Sequence, residues 1–340
     1  MKFGRGPGVL PLLYVGSSLL ILVLILWSQT ESYAPGLLLG WDSSTYAYLA
    51  RLVIQNGPLA MISTWNYPHL SVLILAGTGL LIGNLDLAER ILPALYGGTV
   101  VIATFRLVRL TAGNVHVAGI SSILTVVSLN FVRLLADLNR NLLALALIVL
   151  YVPFFVKWKT GINPTRAVVS LAWLSLVAYT QVESYVLFSL TIIILLTRSM
   201  QLRSFLTWTL LLAGPFLLEL PLFVNFVLDY GRTASLTPKT ATTLNGFAAF
   251  AFLGGFLIPA VAVGVAISLK QYVKRGNLFF GFWAVWSSVA LAAALLPLSG
   301  ILAFPPERAL YLVPVGTLSA LSVETISVSL LGIMARYRSG

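Results

Sequence analysis

Residues 70–83, LSVLILAGTGLLIG, decide how this chain is arranged. The run is apolar from end to end, yet shorter than the roughly 20 residues that cross a bilayer's hydrocarbon. Ten other stretches have the composition of spanning helices: 9–27, 89–108, 115–132, 141–156, 167–182, 184–197, 204–228, 246–268, 278–298 and 309–334. If 70–83 also crosses, every later loop changes sides. Charge settles the parity, because loops on the cytoplasmic side collect Lys and Arg. With 70–83 kept out, one side holds Lys2, Arg5, Arg106, Arg109, Lys157, Lys159, Arg166, Arg198, Arg203, Lys270, Lys274, Arg275, Arg336 and Arg338, without a single acid. The other side holds Glu31, Asp42, Asp86, Glu89, Asp137, Glu183, Asp229 and Glu307. Making 70–83 a span would scatter the basic loops to the outside. The charge pattern therefore predicts an all-α, polytopic transmembrane bundle of about ten spans, with both termini cytoplasmic.

Composition excludes the other broad classes. Of 340 residues, 59% are hydrophobic and 9% charged, against roughly 25% charged in soluble domains; the mean hydropathy is +0.95. The net charge of +11 comes from one-sided loops and does not point to nucleic acid. There is no cysteine and there are two histidines, which removes disulfide frameworks, thiolate chemistry and most zinc sites. The first apolar segment follows Lys2 and Arg5 and is too long for a signal-peptide core, so an uncleaved first span is expected. Neither a GxxxxGK[ST] loop nor an HExxH pair is present.

The consequence is a long first outer loop, 28–88, within a single transmembrane domain, 1–340. Its stretch 43–56 (STYAYLARLVIQNG) places Tyr46, Leu49, Ala50 and Val53 at helical spacing, with Arg51 and Gln55 opposite. Such a helix lies in the membrane interface, and 70–83 becomes a second interfacial or re-entrant element covered by protein. A second outer loop, 229–245, is polar and Thr-rich. No folded soluble domain is expected at either end. Gly79 and Gly83 match GxxxG, a sign of close helix approach.

The chemistry-bearing residues gather on the outer side. Asp42 stands in GWDSSTYAYLARLVIQNG, between the first span and the interfacial helix. It has the residue type of a helix cap, but Ser43 and Ser44 are equally able. A carboxylate at the membrane-water boundary also suits a general base acting on an acceptor. Asp137 and Arg140 are three apart, which on a continuous helix would let them pair. Glu219 and Glu324 fall inside apolar segments, where a charge costs about 2.5 kcal/mol or more; pairing or a cation route would each account for them. His116 reads as a surface residue at the start of the third span.

These residues, in order, resemble the GT-C glycosyltransferases, the membrane-embedded class that includes protein O-mannosyltransferases and aminoarabinose transferases. The likeness runs from Asp42 with its following Tyr and Ala-Arg pair, through Tyr67-Pro68-His69-Leu70, to Glu89-Arg90-Ile91-Leu92-Pro93-Ala94-Leu95 at the start of the second span. It continues to Asp137-Leu138-Asn139-Arg140-Asn141, where the family carries a second acidic motif. It covers about residues 9–160. Arg90 matches the usual arginine, but the second acidic motif has one aspartate where oligosaccharyltransferases have a pair. The chain looks like a reduced form without a soluble domain.

The resemblance implies a sugar donor linked to polyprenyl phosphate and transfer to a glycan, lipid or protein acceptor on the outer or lumenal side. A phosphate leaving group is already a stable anion, so one base suffices, unlike the carboxylate pair of glycosidases. Asp42 is the base in this scheme, and single-base logic favours inversion. Arg308, in AFPPERALYL, is the candidate for the lipid phosphate, since a guanidinium binds phosphate oxygens bidentately; pairing with Glu307 is its other reading. Asp137, Arg140, Glu183 and His69 are the remaining substrate-binding candidates. A divalent metal, if used, would fall to Asp42 and Asp137. The absence of Asn-x-Ser/Thr sequons fits a prokaryotic plasma membrane. The rival is a transporter or lipid-linked sugar flippase, which would depend on Glu219 or Glu324.

Overall fold

A computed structural model of the protein describes residues 8–32, 41–58, 70–137, 139–159, 161–198, 202, 204–217, 250–295 and 309–338. Its regular elements are all helices, as expected for a chain that must satisfy its backbone inside lipid. They are α1 (Val9–Ser32), α2 (Trp41–Asn56), α3 (Leu70–Ile82), α4 (Leu85–Ala112), α5 (Val115–Val127), α6 (Leu129–Asp137) and α7 (Asn139–Trp158). Then follow α8 (Pro164–Thr180), α9 (Val182–Thr197), α10 (Ser204–Leu217), α11 (Ile258–Arg275), α12 (Leu278–Leu295) and α13 (Val315–Arg338).

Local chemistry sets the boundaries. Asn84, Asn114 and Asn163 cap α4, α5 and α8, each side-chain oxygen accepting a backbone N–H of the first turn. Gly113 and Gly276 close α4 and α11 in the left-handed conformation, at φ 71° and 63°, which glycine adopts without strain. Four helices are long and apolar enough to cross a bilayer: Val9–Gln29, Leu85–Ala112, Asn139–Trp158 and Gly255–Arg275, the last including a single 3-10 turn. Five more are apolar but shorter. The chain is an integral membrane protein, and the exposed Leu12, Leu20, Leu24 and Trp27 along α1 mark a face for lipid.

Residues 70–83 form a thirteen-residue helix, α3, about 20 Å long at 1.5 Å per residue. It packs on α2, α4, α7 and α8, burying Val72, Leu75 and Ala76. At Gly79 a Cβ would stand 2.8 Å from Leu85, the close approach its GxxxG spacing suggests. The amphipathic reading of 43–56 holds as well: Tyr46, Leu49 and Ala50 are buried, and Arg51 and Gln55 are exposed. These residues join Leu22, Leu92, Leu134 and Leu142 in one hydrophobic core. A second core unites α7 to α12 around Phe155, Phe188, Trp208, Trp283 and Trp286.

Three expected spans are altered. The 115–132 segment is two helices, bent by 56° at Ser128, whose backbone is extended and whose Oγ bonds Thr125 O. The cause is Asn130, which donates from Nδ2 to Val313 O at 2.7 Å and to Tyr311 O at 3.4 Å. These carbonyls precede α13, which starts only at Val315, after Pro314, instead of at 309. Likewise the 246–268 segment is interrupted: 250–252 are helical, Gly254 and Gly255 take φ 103° and 54°, and α11 begins at Ile258. A cavity of about 40 Å³ lies between the Ser128 break and the 311–317 segment. Asn130→Leu strands two buried carbonyls and is expected to cost about 2 kcal/mol, read as a lower thermal midpoint of the purified protein.

One end of the bundle is basic. Tyr14 OH meets His116 Nδ1 at 3.0 Å, Asn114 donates to Glu324, Arg198 donates to Val273 O and Trp208 to Lys159 O. Those bonds join the start of α1 to that of α5, the α4–α5 turn to α13, the end of α9 to α11 and the end of α7 to α10, and Arg109, Lys157, Lys159, Arg198, Lys274 and Arg275 lie at these helix ends. Glu324, in the interior of α13, is level with the α4–α5 turn and takes Asn114's amide at 3.0 Å. One of the two acids that motivated a transporter thus has a structural task. Glu219, and the polar loop 229–245, lie outside the described residues.

Candidate functional site

At the opposite end, α2, α3, α4, α6 and α7 converge. Arg140, in the first turn of α7, donates from Nε to the Tyr46 hydroxyl of α2 at 3.0 Å. Its guanidinium carbon also lies 5.5 Å from the Tyr46 ring centroid, a cation–π distance. This pair ties the helix that carries Asp42 to the turn that carries Asp137. Asp42 is the second residue of α2, four before Tyr46 and so one turn along the same side; its side chain lies outside the described residues, as does that of Asp137. Because α2 starts at Trp41, Asp42 sits within the first turn and not ahead of it.

Asp137 ends α6 and Asn139 begins α7, so Asp137 and Arg140 stand on two helices. Arg140 reaches across to Tyr46. On the rim, Arg51 and Asp86 form an exposed ion pair at 3.5 Å, of little energetic weight.

Beneath the Tyr46–Arg140 pair is a cavity of about 10 Å³, lined by Tyr46, Ser71, Leu75, Glu89, Leu92, Tyr96 and Asn139. Glu89 is 3% exposed, with both carboxylate oxygens buried. Ser71 Oγ, Tyr96 OH and Asn139 Oδ1 are buried with no hydrogen-bond partner among the described residues. Glu89 entered the sequence reading as an outer-side acid and part of a motif, and Tyr46 as an apolar contact and part of another, neither as a candidate site residue. The signal for Glu89 was its phase: Glu89, Leu92, Tyr96 and Val100 fall on one stripe of α4, an acid in line with core residues.

Glu183 does not line this cavity. It opens α9, where an acid suits the helix dipole, and it accepts a hydrogen bond from the Gln181 side chain. His69 and Arg308 lie outside the described residues, each next to a described element, α3 and the 309–314 turn. Among the described residues no group of three His, Asp or Glu is placed to hold a metal ion.

The fold of this helical bundle, whose short helices α2 and α3 pack over a polar cluster at one end, is shared with solved structures of archaeal oligosaccharyltransferases. The crystal structure of the Archaeoglobus fulgidus oligosaccharyltransferase in the apo form aligns over 97% of this chain and 52% of its own length, with a TM-score of 0.55 and 14% identity. The archaeal oligosaccharyltransferase AglB from Archaeoglobus fulgidus, in complex with an inhibitory peptide and a dolichol-phosphate, aligns over the same shares with a TM-score of 0.58 and 15% identity. The chain thus spans about half the length of those proteins, and at this identity the likeness is one of fold. No family model and no curated protein matches the sequence.

Proposed function

We propose that the protein is a GT-C glycosyltransferase that moves a sugar from a polyprenyl-phosphate-linked donor to an acceptor at the non-basic end of the bundle. The observation that carries this is the joining of α2 to α7 through Tyr46 and Arg140, within a fold shared with oligosaccharyltransferases. AglB has been solved in complex with an inhibitory peptide and a dolichol-phosphate, and a lipid phosphate is what this reading assigns to the donor here. Asp42 removes the acceptor's proton, and Asp137 faces it across the site to orient acceptor or sugar. Arg308 holds the lipid phosphate; His69 and Glu183 contact substrate. The basic end is cytoplasmic under the positive-inside rule, so about ten spans place both termini inside and the site outside, in a prokaryotic plasma membrane. The regions 28–88 and 229–245 are then outer loops, and α2 and α3 lie at the interface.

The test is purified protein with a panel of radiolabelled polyprenyl-phosphate sugars and released polyprenyl phosphate as readout. At least one donor is expected to be turned over. Arg308→Ala should weaken donor binding about tenfold or more, the scale of a lost charge-assisted bidentate contact. Unchanged donor affinity in Arg308→Ala removes that residue's role, and no donor bound by the wild type removes the reading as a whole.

A further inference from the structure

The direction of α6 is set in its first turn. α5 and α6 meet at 56° across Ser128, and Asn130, the second residue of α6, uses both ends of its side-chain amide there. Oδ1 accepts from the Phe131 N–H at 3.0 Å, satisfying a donor that a helix start leaves open. Nδ2 donates to Val313 O at 2.7 Å and to Tyr311 O at 3.4 Å. Leu312 O, between those two, takes the Trp286 indole N–H from α12 at 2.7 Å. Three successive carbonyls ahead of α13 are thus held from two sides, and α6 is tied to them. Beside the break, close packing does not wedge the angle: Thr125, Ser128, Asn130 and Phe131 line the cavity of about 40 Å³. Directional hydrogen bonds therefore carry more of the bend there than they would in a solid core.

We propose that Asn130 is a positioning residue for the transfer reaction, which by holding α6 at its bend sets where Asp137 stands. Asp137 is the last of the nine residues of α6, a lever about 13 Å long at 1.5 Å per residue. Each 10° of bend lost moves its far end by about 2 Å on that length. A misplacement of about 1 Å is enough to cost 10²-fold in rate where reacting groups must be aligned. α6 also packs on α2, so a change in its direction alters the spacing between the helix ends that carry Asp137 and Asp42. Asn130 touches neither donor nor acceptor in this scheme. The proposal rests on the glycosyltransferase reading, in which Asp137 orients acceptor or sugar.

Three variants decide it, assayed below every variant's thermal midpoint with the radiolabelled donor panel and a direct donor-binding measurement. Asn130→Leu removes the amide, Asn130→Gln keeps it, and Trp173→Phe is the control. Trp173 Nε1 donates to Leu147 O at 2.9 Å, so its loss also leaves a carbonyl without its indole donor, but between α8 and α7 and away from α6. Asn130→Leu is expected to slow turnover about tenfold or more while donor affinity stays within about twofold. It should also speed amide hydrogen exchange in 129–137 and 309–314, and not in α9. Asn130→Gln should recover turnover to within about threefold of wild type, and Trp173→Phe should keep wild-type turnover despite a lower midpoint. Wild-type turnover in Asn130→Leu overturns the proposal and leaves the amide a purely stabilising role. A loss of equal size in Trp173→Phe overturns it too, since general loosening would then be the cause. Donor affinity that falls in step with turnover also overturns it, because the bond would then act on the donor through 309–314 and not through Asp137. No turnover of any donor by the wild type removes the transferase reading and this proposal with it, whereas in the other outcomes the wild type is active.

Discussion

Asp42→Asn is expected to lower turnover by about 10²- to 10⁴-fold, the range that general base catalysis supplies, with donor affinity changed by less than about threefold. The substitution is chosen for what it preserves. Asparagine has aspartate's shape, and it is as good a residue for a helix start, so α2 keeps its first turn. What it cannot do is accept a proton. In the proposed reaction the leaving group is a phosphate, so no acid is needed on the other side of the bond and the burden falls on activating the acceptor. The loss should therefore appear in kcat more than in KM, the signature of an interaction made only in the transition state. The comparison uses the radiolabelled donor panel together with a direct donor-binding assay. Turnover that survives the substitution removes Asp42 as base and leaves the transferase. Loss of donor binding in the variant would make Asp42 a donor-holding residue instead.

The elements that were legible in the sequence are those with local causes. The amphipathic face of 43–56 appears in the structure as the buried Tyr46, Leu49 and Ala50 because helical phase alone sets it. The short length of 70–83 and the one-sided charge likewise belong to single segments. What sequence could not show depends on partners far along the chain. Nothing in SLNFVRLL marks Ser128 as a break, since Asn130 finds its acceptors 181 and 183 residues later. Nor does the spacing of Asp137 and Arg140 reveal that a helix ends between them. Arg140's described partner, Tyr46, is 94 residues away. The same applies to Glu324, which reads as a mid-span charge until Asn114, 210 residues earlier, is seen to donate to it. The likeness to GT-C enzymes singled out Asp42, Asp137 and Arg140, and the helix ends that carry them lie at one end of the bundle. It did not single out Glu89 as buried, which only the packing of α3, α4 and α7 discloses.

Gly264→Ala and Gly316→Ala are expected to destabilise the protein by about 3 kcal/mol each, the upper end of the usual cost of overpacking. The reason is what the added methyl would meet. At Gly264 a Cβ would stand 2.1 Å from Leu318 O, and at Gly316 2.3 Å from Thr125 N. Both are backbone atoms, so no rotamer change relieves the clash and whole helices must separate. Here the two sites work against each other. Residues 316 and 318 are two apart, about 200° around the helix, so α13 is pressed on one side by α5 and on nearly the opposite side by α11. Moving α13 away from α5 to admit a methyl at 316 drives Leu318 toward Gly264, where no space exists. The same movement stretches the buried Ser121–Thr317 hydroxyl contact, now 3.0 Å. Gly77→Ala in α3 is the control, since nothing lies within 4 Å of its Cβ position; it should match wild type or gain a little from helix propensity. Thermal unfolding of the purified variants, followed by recovery on size exclusion, should put Gly264→Ala and Gly316→Ala roughly 10 °C below Gly77→Ala. Equal midpoints for all three would mean that α13 can slide between its neighbours, and that the two-sided backbone contact does not fix its position.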